Sequence, residues 1–273
     1  MFVHLNTHST YSKMRGTASP QALLTQAKAV HQTHLALTEV NGLWGFIRFV
    51  QWAREVGIQP IAGTNLLTPN FDLILLAENQ YGYENLCRTI SRVHDNENLS
   101  IVELLKPYAK GLFVLAYQED VLAELACFIP ATHLFVELRP GVSEQETRRL
   151  AETFHLEIVA TGDVYFLKPE DQKTHRILRA IDKNSTLSQL APSDYKSEQH
   201  YFRTEKEMID LFPNSLNAIN NSQFLAERCK TDWNYTNTIF PGLSLKETNL
   251  ANRQLRQLVY DGAKIRYGEI DQV

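Results

Sequence analysis

Short, continuously apolar runs alternate with helix-like segments over the first two thirds of the chain, and this rhythm restricts the fold more than any other feature. The predicted strands are residues 2–5, 35–38, 58–62, 71–77, 112–116, 134–138 and 157–160. The predicted helices are residues 20–30, 46–56, 83–93, 120–127, 143–154 and 170–181. Continuously apolar strands bury both faces, as in a parallel sheet that is covered by helices on both sides. About seven such units predict an α/β fold whose sheet closes into a barrel.

The pattern changes at residues 182–199, which are rich in Ser, Lys and Gln, carry Pro192 and are predicted to form an exposed linker. Helical spacing follows at residues 204–212, 215–229 and 250–267, with a turn predicted at Pro241-Gly242. The last helix carries an apolar stripe that includes Leu255, Leu258 and Val259. We therefore divide the chain into a barrel domain, residues 1–200, and a helical segment, residues 201–273.

Composition excludes several classes of protein. Hydrophobic residues make up 44% of the chain, charged residues make up 21%, and the net charge is −4, so the whole chain is not a basic nucleic-acid clamp. The three cysteines form no CxxC pair, which argues against a disulfide framework and a zinc knuckle. The N-terminus does not resemble a signal peptide, and no apolar run approaches the ~18 residues of a membrane span. We expect a cytoplasmic protein that has no membrane contact.

Active sites of α/β barrels lie on the loops that follow the strands. Asn6 and His8 share one face of the first predicted strand, where a His-x-His pair would suit zinc. Asn6 breaks that pair, so His8 is either a hydrogen-bonded histidine at the barrel end or a remaining ligand. Glu39 is the only strong ligand in the loop after the second strand, and it is either solvated or catalytic.

Residues 2–12, with Gly16 after them, resemble the opening of the PHP domain of bacterial DNA polymerase III alpha subunits and their error-prone relatives. The family typically has His-x-His where this chain has Asn6-Thr7-His8. Further segments resemble the family in the same order, namely residues 38–45, 59–65, 75–86, 160–167, 201–208, 226–229 and 262–268. The resemblance implies a distorted (β/α)7 PHP-type barrel, followed by the helical start of a polymerase region.

The resemblance also implies a multi-metal site for phosphoester hydrolysis, and this chain departs from that site at most positions. The family's ligands correspond here to Asn6, His8, Arg15, Glu39, Val40, Asn65, His94, Gln118, Asp163 and Tyr165. Only His8, His94 and Asp163 keep a ligand type, and Glu39 is a substitute. Arg15 adds a fixed positive charge, and we expect it to pair with Glu39 or Asp163 in place of a metal ion.

Three hypotheses follow. The first is a non-catalytic, metal-free module that braces a DNA-directed DNA polymerase and can dock a proofreading exonuclease subunit, while DNA is contacted through the rest of the polymerase. The polymerase carboxylates would then lie after Val273, and the end of the chain within a helical region favours a truncated segment. The second is a metal-dependent phosphoesterase or 3′–5′ exonuclease with zinc or manganese on His8, Glu39, His94 and Asp163. The third is a free-standing interaction protein. A replicative and an error-prone parent remain equally open.

Overall fold

The computed structural model describes residues 1–231 and 248–268, and the turn predicted at Pro241-Gly242 lies outside these residues. Its strands are β1 (His34–Val40), β2 (Gln59–Leu67), β3 (Asp72–Ala77), β4 (Leu112–Ala116), β5 (Leu134–Leu138) and β6 (Glu157–Ala160). Its helices are α1 (Pro20–Ala29), α2 (Phe46–Val56), α3 (Gln80–Asp95), α4 (Ile101–Leu105), α5 (Glu119–Ala126), α6 (Glu144–Phe154), α7 (Gln172–Asp182), α8 (Glu205–Leu211), α9 (Leu216–Arg228) and α10 (Thr248–Tyr267). The predicted α/β fold class is confirmed.

The six strands form one sheet in chain order. β1 pairs with β2 in parallel, and β4, β5 and β6 are likewise parallel. β3 is antiparallel to both of its neighbours. Only residues 68–71 separate β2 from β3, which is too short for the crossover that a parallel pair requires. The sheet is therefore parallel except at β3, which departs from the parallel sheet that the apolar strands favoured.

An extended N-terminal segment lies where a seventh strand was predicted, between β1 and the residues that follow β6. Ala36 N donates to His4 O at 3.0 Å on one side, and His8 N donates to Val164 O at 2.8 Å on the other. The N–H of Val3 donates to a serine hydroxyl of α9, so the strand ladder is interrupted. The prediction of a regular strand at residues 2–5 is wrong, although the segment lies beside β1.

The helix α9 packs against the barrel. Leu225, Ala226 and Cys229, at its C-terminal end, belong to the same buried apolar cluster as side chains of every strand. On α8, Met208 packs with Phe2 in a second cluster. The described residues up to 231 therefore form one compact unit. The sequence rhythm alone had assigned α8 and α9 to a separate helical segment, because it does not reveal what their apolar faces contact.

The helix α10 belongs to a second compact unit. It matches the helix predicted at residues 250–267, and Leu255, Leu258 and Val259 of its apolar stripe are exposed. None of the helices in the described parts of the chain has the length and apolarity needed to cross a membrane.

Candidate functional site

Polar side chains are buried at the end of the barrel where β1, β2, β5 and β6 finish. Asn6, His8, Glu39 and Asp163 are each at most 1% exposed. β3 begins at this end because it runs antiparallel, and it brings Asp72 to the same place. The antiparallel strand thus adds a carboxylate that an all-parallel barrel would have placed at the opposite end.

The first group of side chains, the Asp163 cluster, consists of Asn6, Glu137, Arg139, Asp163 and Lys196. Lys196 Nζ lies 2.7 Å from Asp163 Oδ2, and Arg139 Nη1 lies 3.8 Å from the same oxygen. Asn6 Nδ2 donates to Glu137 Oε1 at 3.0 Å and to Asp163 Oδ1 at 3.3 Å. Burial alone would raise the pKa of Asp163, but Lys196 and Arg139 hold it well below its ordinary value. Asp163 is therefore an ionised carboxylate with two cations beside it.

Arg139 joins the cluster to β3. Its Nη2 donates to Asp72 Oδ2 at 2.9 Å, and its Nη1 lies 3.8 Å from Glu137 Oε2. The guanidinium also stacks 3.8 Å from the centre of the Tyr117 ring. Burial opposes the charged form of Arg139, but Asp163, Glu137 and Asp72 together raise its pKa well above the ordinary value. The buried positive charge is thus compensated by carboxylates from three strand ends.

The loop after β6 brings Asp163 into position. Asp163 has φ 43°, in the left-handed region that aspartate tolerates better than most residues. A Cβ at the preceding residue, Gly162, would lie 2.6 Å from the ring of His4, so only glycine fits beside this buried histidine. The Gly162-Asp163 pair therefore lets the chain pass close to the N-terminal segment and directs the carboxylate toward Asn6.

His8 stacks on Tyr165, with the ring centroids 4.1 Å apart and an interplanar angle of 13°. Its Nδ1 donates to Val164 O at 3.1 Å, since a carbonyl oxygen can only accept. Burial lowers the pKa of His8 to about 4, so the ring is neutral near neutral pH. Nε2 lies 3.4 Å from Asn65 Oδ1, which is also an acceptor, so a neutral ring with a single N–H can donate to only one of these two oxygens. Rotating the Asn65 amide so that Nδ2 faced His8 would break the hydrogen bond that Nδ2 donates to Asp72 Oδ1 at 2.7 Å.

Glu39 occupies a separate position in which hydroxyl groups surround the carboxylate. The hydroxyls of Ser9 and Ser12 both donate to it, and the backbone N–H of Ser9 donates at 3.2 Å to Oε2. Burial raises the pKa of Glu39, although these hydrogen bonds act in the opposite direction. Glu39 therefore binds the loop that follows the N-terminal segment and contacts no cation of the Asp163 cluster.

Comparison with known proteins identifies the family. The PHP domain family matches residues 4–166, more than half of the chain. The chain belongs to the PHP domain family. This match covers the N-terminal segment, all six strands and the loop that carries Asp163.

Curated relatives of this chain include DNA polymerase III alpha subunits and an error-prone DNA polymerase. DNA polymerase III subunit alpha of Pasteurella multocida is 31% identical over 84% of this chain and 22% of its own length. The same subunit of Buchnera aphidicola subsp. Acyrthosiphon pisum is 32% identical over 84% of this chain and 23% of its own length. An error-prone DNA polymerase of Symbiobacterium thermophilum is 28% identical over 98% of this chain and 29% of its own length. The PHP chain thus spans roughly a quarter of the length of these relatives.

The structure brings together only part of the ligand set that the PHP resemblance implied. Asn6, His8, Asn65, Asp163 and Tyr165 lie together at the barrel end. The other positions have different partners. His94 Nε2 donates to Asn41 O at 2.7 Å, Gln118 Oε1 accepts from Asp72 N at 2.9 Å, and Val40 N donates to Ser12 Oγ at 3.0 Å. Over the described residues, no group of three or more His, Cys, Asp and Glu side chains could hold a metal ion.

The prediction that Arg15 pairs with Glu39 or Asp163 is wrong. Arg139 and Lys196 are the cations beside Asp163, and serine hydroxyls surround Glu39. Arg15 instead lines a neighbouring pocket with Tyr165 and side chains of α7. The Arg15 carbonyl accepts from His175 Nδ1 at 2.7 Å, which joins this part of the chain to α7.

Sequence reasoning missed four charged members of this region: Asp72, Glu137, Arg139 and Lys196. A signal was present for two of them, because Glu137 lies near the end of the apolar strand β5 and Arg139, two residues later, directly follows that strand. Side chains two apart on a strand point to the same face. Lys196 gave no signal, since a lysine in a polar linker is ordinarily solvated.

Proposed function

We propose that this chain is the PHP domain of a DNA polymerase III alpha-type polymerase and that the domain serves as a structural and subunit-docking module. The parent protein would be a DNA-directed DNA polymerase, a nucleotidyltransferase of DNA replication or translesion synthesis in the cytoplasm. Similarity to replicative and error-prone polymerases over most of the chain supports this assignment. DNA would be bound by the rest of the polymerase, because this chain has a net charge of −4.

One observation carries the structural role: the Lys196 ammonium lies 2.7 Å from the Asp163 carboxylate. A divalent cation at this carboxylate would have to displace Lys196 and would also be repelled by Arg139. The remaining positions offer neutral amides at Asn6 and Asn65, which compensate poorly for the dehydration of a transition metal. The side chains at the barrel end therefore do not fit the metal site of a PHP hydrolase.

The cation network has a structural consequence of its own. Arg139 and Lys196 connect β5 and the linker after α7 to the loop that carries Asp163. Metal ions would hold the same strand ends together in a metal-bound barrel. We infer that internal ion pairs replace the metal as the connection between these loops, and that the barrel keeps its outer surfaces for contacts with the polymerase and a proofreading exonuclease subunit.

Elemental analysis of the chain purified without chelator tests this proposal. We expect zinc and manganese far below about one equivalent per chain, and no nuclease activity after either metal is added. A chelator-treated sample of the same preparation is the control. Stoichiometric zinc or manganese, together with nuclease activity that is lost in His8→Ala, would establish the metal-dependent phosphoesterase and overturn the structural role.

Calorimetric titration of the chain with the proofreading exonuclease subunit encoded in the same genome tests the docking role. We expect a complex of defined stoichiometry that persists in chelator, since no metal is needed to shape the barrel. The absence of heat and of a co-eluting species in size-exclusion chromatography would contradict docking through this domain.

Reading the gene beyond the codon for Val273 separately tests the polymerase parent.

A further inference from the structure

The outward face of α7 and the linker after it form an apolar groove. Ile177 and Ile181 of α7 are 48% and 59% exposed, and Leu187 of the linker is 45% exposed. These three side chains, here called the α7 groove, line a pocket of about 390 Å³ together with Ala180 and Ser185. Single exposed apolar residues are ordinary, but aliphatic side chains that share one exposed pocket indicate a contact surface.

The amphipathic character of α7 explains why these side chains face outward. His175 and Arg179 of the same helix are buried. Ile177 and Ile181 each follow one of them by two residues, which is about 200° around the helix. The α7 groove therefore lies on the side of the helix opposite His175, whose Nε2 accepts from the backbone N–H of Lys196. It is separate from the barrel-end site.

Arg176 lies at the edge of the α7 groove and is held in a fixed position. Its guanidinium carbon lies 4.7 Å from the centre of the Tyr195 ring, and its Nη2 donates to Leu187 O at 3.4 Å. Its Nε is buried and has no hydrogen-bond partner in the described part of the chain. No carboxylate among residues 1–231 and 248–268 lies within ion-pairing distance of Arg176. Arg176 is therefore a positioned cation with hydrogen-bonding capacity left for a carboxylate.

The other cations of this region differ in whether they have a partner. Arg179 pairs with Asp182 and Lys183 pairs with Asp194, each at 2.6 Å. Lys173 is exposed one turn before Ile177 and, over the ranges that the structure describes, forms no ion pair. The residues that line the pocket are all uncharged. The α7 groove thus has uncharged walls and an unpaired basic rim, which consists of Lys173 and Arg176.

We propose that the α7 groove docks an acidic segment of a partner protein, which inserts an apolar side chain into the pocket and sets a carboxylate against Arg176. The apolar anchor removes the aliphatic walls from water, and the carboxylate is complementary to the rim. A second copy of this chain, related by a two-fold axis through the groove, would instead bring Lys173 and Arg176 of both copies together. The inference rests on the proposed docking role and adds the surface and the chemistry of the partner.

Fluorescence anisotropy with three labelled synthetic peptides tests the groove. The first peptide has leucines on one face of a helix and glutamates beside them. The second has lysines in place of the glutamates, and the third has serines in place of the leucines. We expect the first peptide to bind with a Kd below about 1 mM, and the other two to bind about tenfold more weakly or not at all.

Ile181→Asp should weaken binding of the first peptide by about tenfold or more, because it puts a charge into an apolar pocket. Arg176→Gln should weaken it by about threefold or more, because the carboxylate loses its partner. The matched controls are Ile47→Asp and Arg48→Gln, which make the same changes at exposed positions of α2 and should leave the affinity unchanged. Circular dichroism checks that each variant is folded, and Leu187→Asp is a second variant of the groove outside the helix.

Three outcomes would overturn the acidic partner. Equal losses in the α7 and α2 variants, or no binding of the first peptide, would show that the groove is not a docking site. Self-association in sedimentation experiments that Ile181→Asp abolishes would place a second copy there. Stronger binding to phosphatidylglycerol vesicles than to the first peptide, lost in the same variant, would place a membrane surface there.

The titration with the proofreading exonuclease subunit tests the proposed function separately. If that subunit binds and the first peptide does not, the docking role stands and the α7 groove is wrong. If the peptide binds in the expected way and the subunit does not, the groove stands and docking of the exonuclease is wrong. If neither binds, both proposals are overturned.

Discussion

Asp163 and Glu39 are both buried carboxylates at the same end of the barrel, and their surroundings are opposite. Asp163 lies beside Lys196 and Arg139, which hold its pKa far below the ordinary value. Glu39 receives hydrogen bonds from Ser9 and Ser12, it pairs with no cation among residues 1–231 and 248–268, and burial raises its pKa. Burial alone therefore does not set the charge of a carboxylate here, because the nearest partners decide whether the ionised form is stabilised.

The two carboxylates also predict opposite pH dependences. Stability from Asp163 is present above its ordinary pKa of 3.8 and is lost as pH falls toward the lower pKa of the folded state. Stability associated with Glu39 is present below its ordinary pKa of 4.5 and is lost as pH rises through the higher pKa of the folded state. Substitutions at each site can separate these two contributions.

The largest effect is expected for Asp163→Asn, which keeps the shape of the side chain but leaves Lys196 and Arg139 without this carboxylate. We expect the free energy of unfolding at neutral pH to fall by about 3–5 kcal/mol, as for other broken buried pairs. Urea denaturation followed by circular dichroism measures it. Glu119→Gln is the control, because it removes an exposed partner of Arg149 and should cost less than about 1 kcal/mol. Equal losses in the two variants would contradict the importance of the cluster.

A smaller loss, about 1–3 kcal/mol, is expected for Lys196→Met, because Arg139 still faces Asp163 and Lys196 is partly exposed. The pKa of Asp163 would then be depressed less, so the acid-induced loss of stability should begin at a higher pH than in the unsubstituted chain. Denaturation curves between pH values on either side of 3.8 report this shift. Lys173→Met on the exposed side of α7 is the control. If the acid-induced loss of stability began at the same pH in Lys196→Met as in the unsubstituted chain, Lys196 would not lower the pKa of Asp163, and the contrast with Glu39 would be contradicted.

Glu39→Gln should change the free energy of unfolding by less than about 1 kcal/mol at neutral pH, because the amide still accepts a hydroxyl hydrogen bond and no cation loses its partner. The informative quantity is the pH dependence. As pH rises above 4.5, the stability of the unsubstituted chain should decline relative to the variant. A loss near that of Asp163→Asn would mean that an undetected cation stabilises Glu39.

The smallest effect is expected for His94→Ala, which removes one hydrogen bond to Asn41 from an exposed side chain. We expect a loss of about 0.5 kcal/mol or less and no change in metal content. Thermal unfolding and elemental analysis measure the two quantities. A measurable fall in bound zinc or manganese in this variant would link His94 to the barrel-end site after all.

The sequence predicted most of the barrel, because its strands are apolar on both faces. The strands predicted at residues 112–116, 134–138 and 157–160 have the observed bounds of β4, β5 and β6. The N-terminal segment was harder to predict, since its apolar alternation resembles a strand. Its irregular course depends on a side-chain acceptor from α9, more than two hundred residues away along the chain.

The sequence likewise predicted only part of the candidate site. Matching motifs led to Asn6, His8, Asn65, Asp163 and Tyr165, all of which lie together at the barrel end. A residue's position in a motif does not show what its side chain contacts, so the motifs did not reveal that Glu39 and His94 have other partners. They also led to Arg15 as the compensating charge, whereas the structure has Arg139 and Lys196 there.

By itself, the sequence determined that the chain is an α/β barrel of the PHP type and which ligand positions carry other residues, because both depend on local patterns of residue type. Only the tertiary structure decided that Lys196 and Arg139, and not Arg15, neutralise Asp163. Lys196 reaches the site from a linker and Arg139 from the position directly after β5, and they lie thirty-three and twenty-four residues from Asp163 along the chain. The energy of an ion pair depends on the distance between the charges in space. Packing of the whole barrel determines whether residues so far apart along the chain come that close.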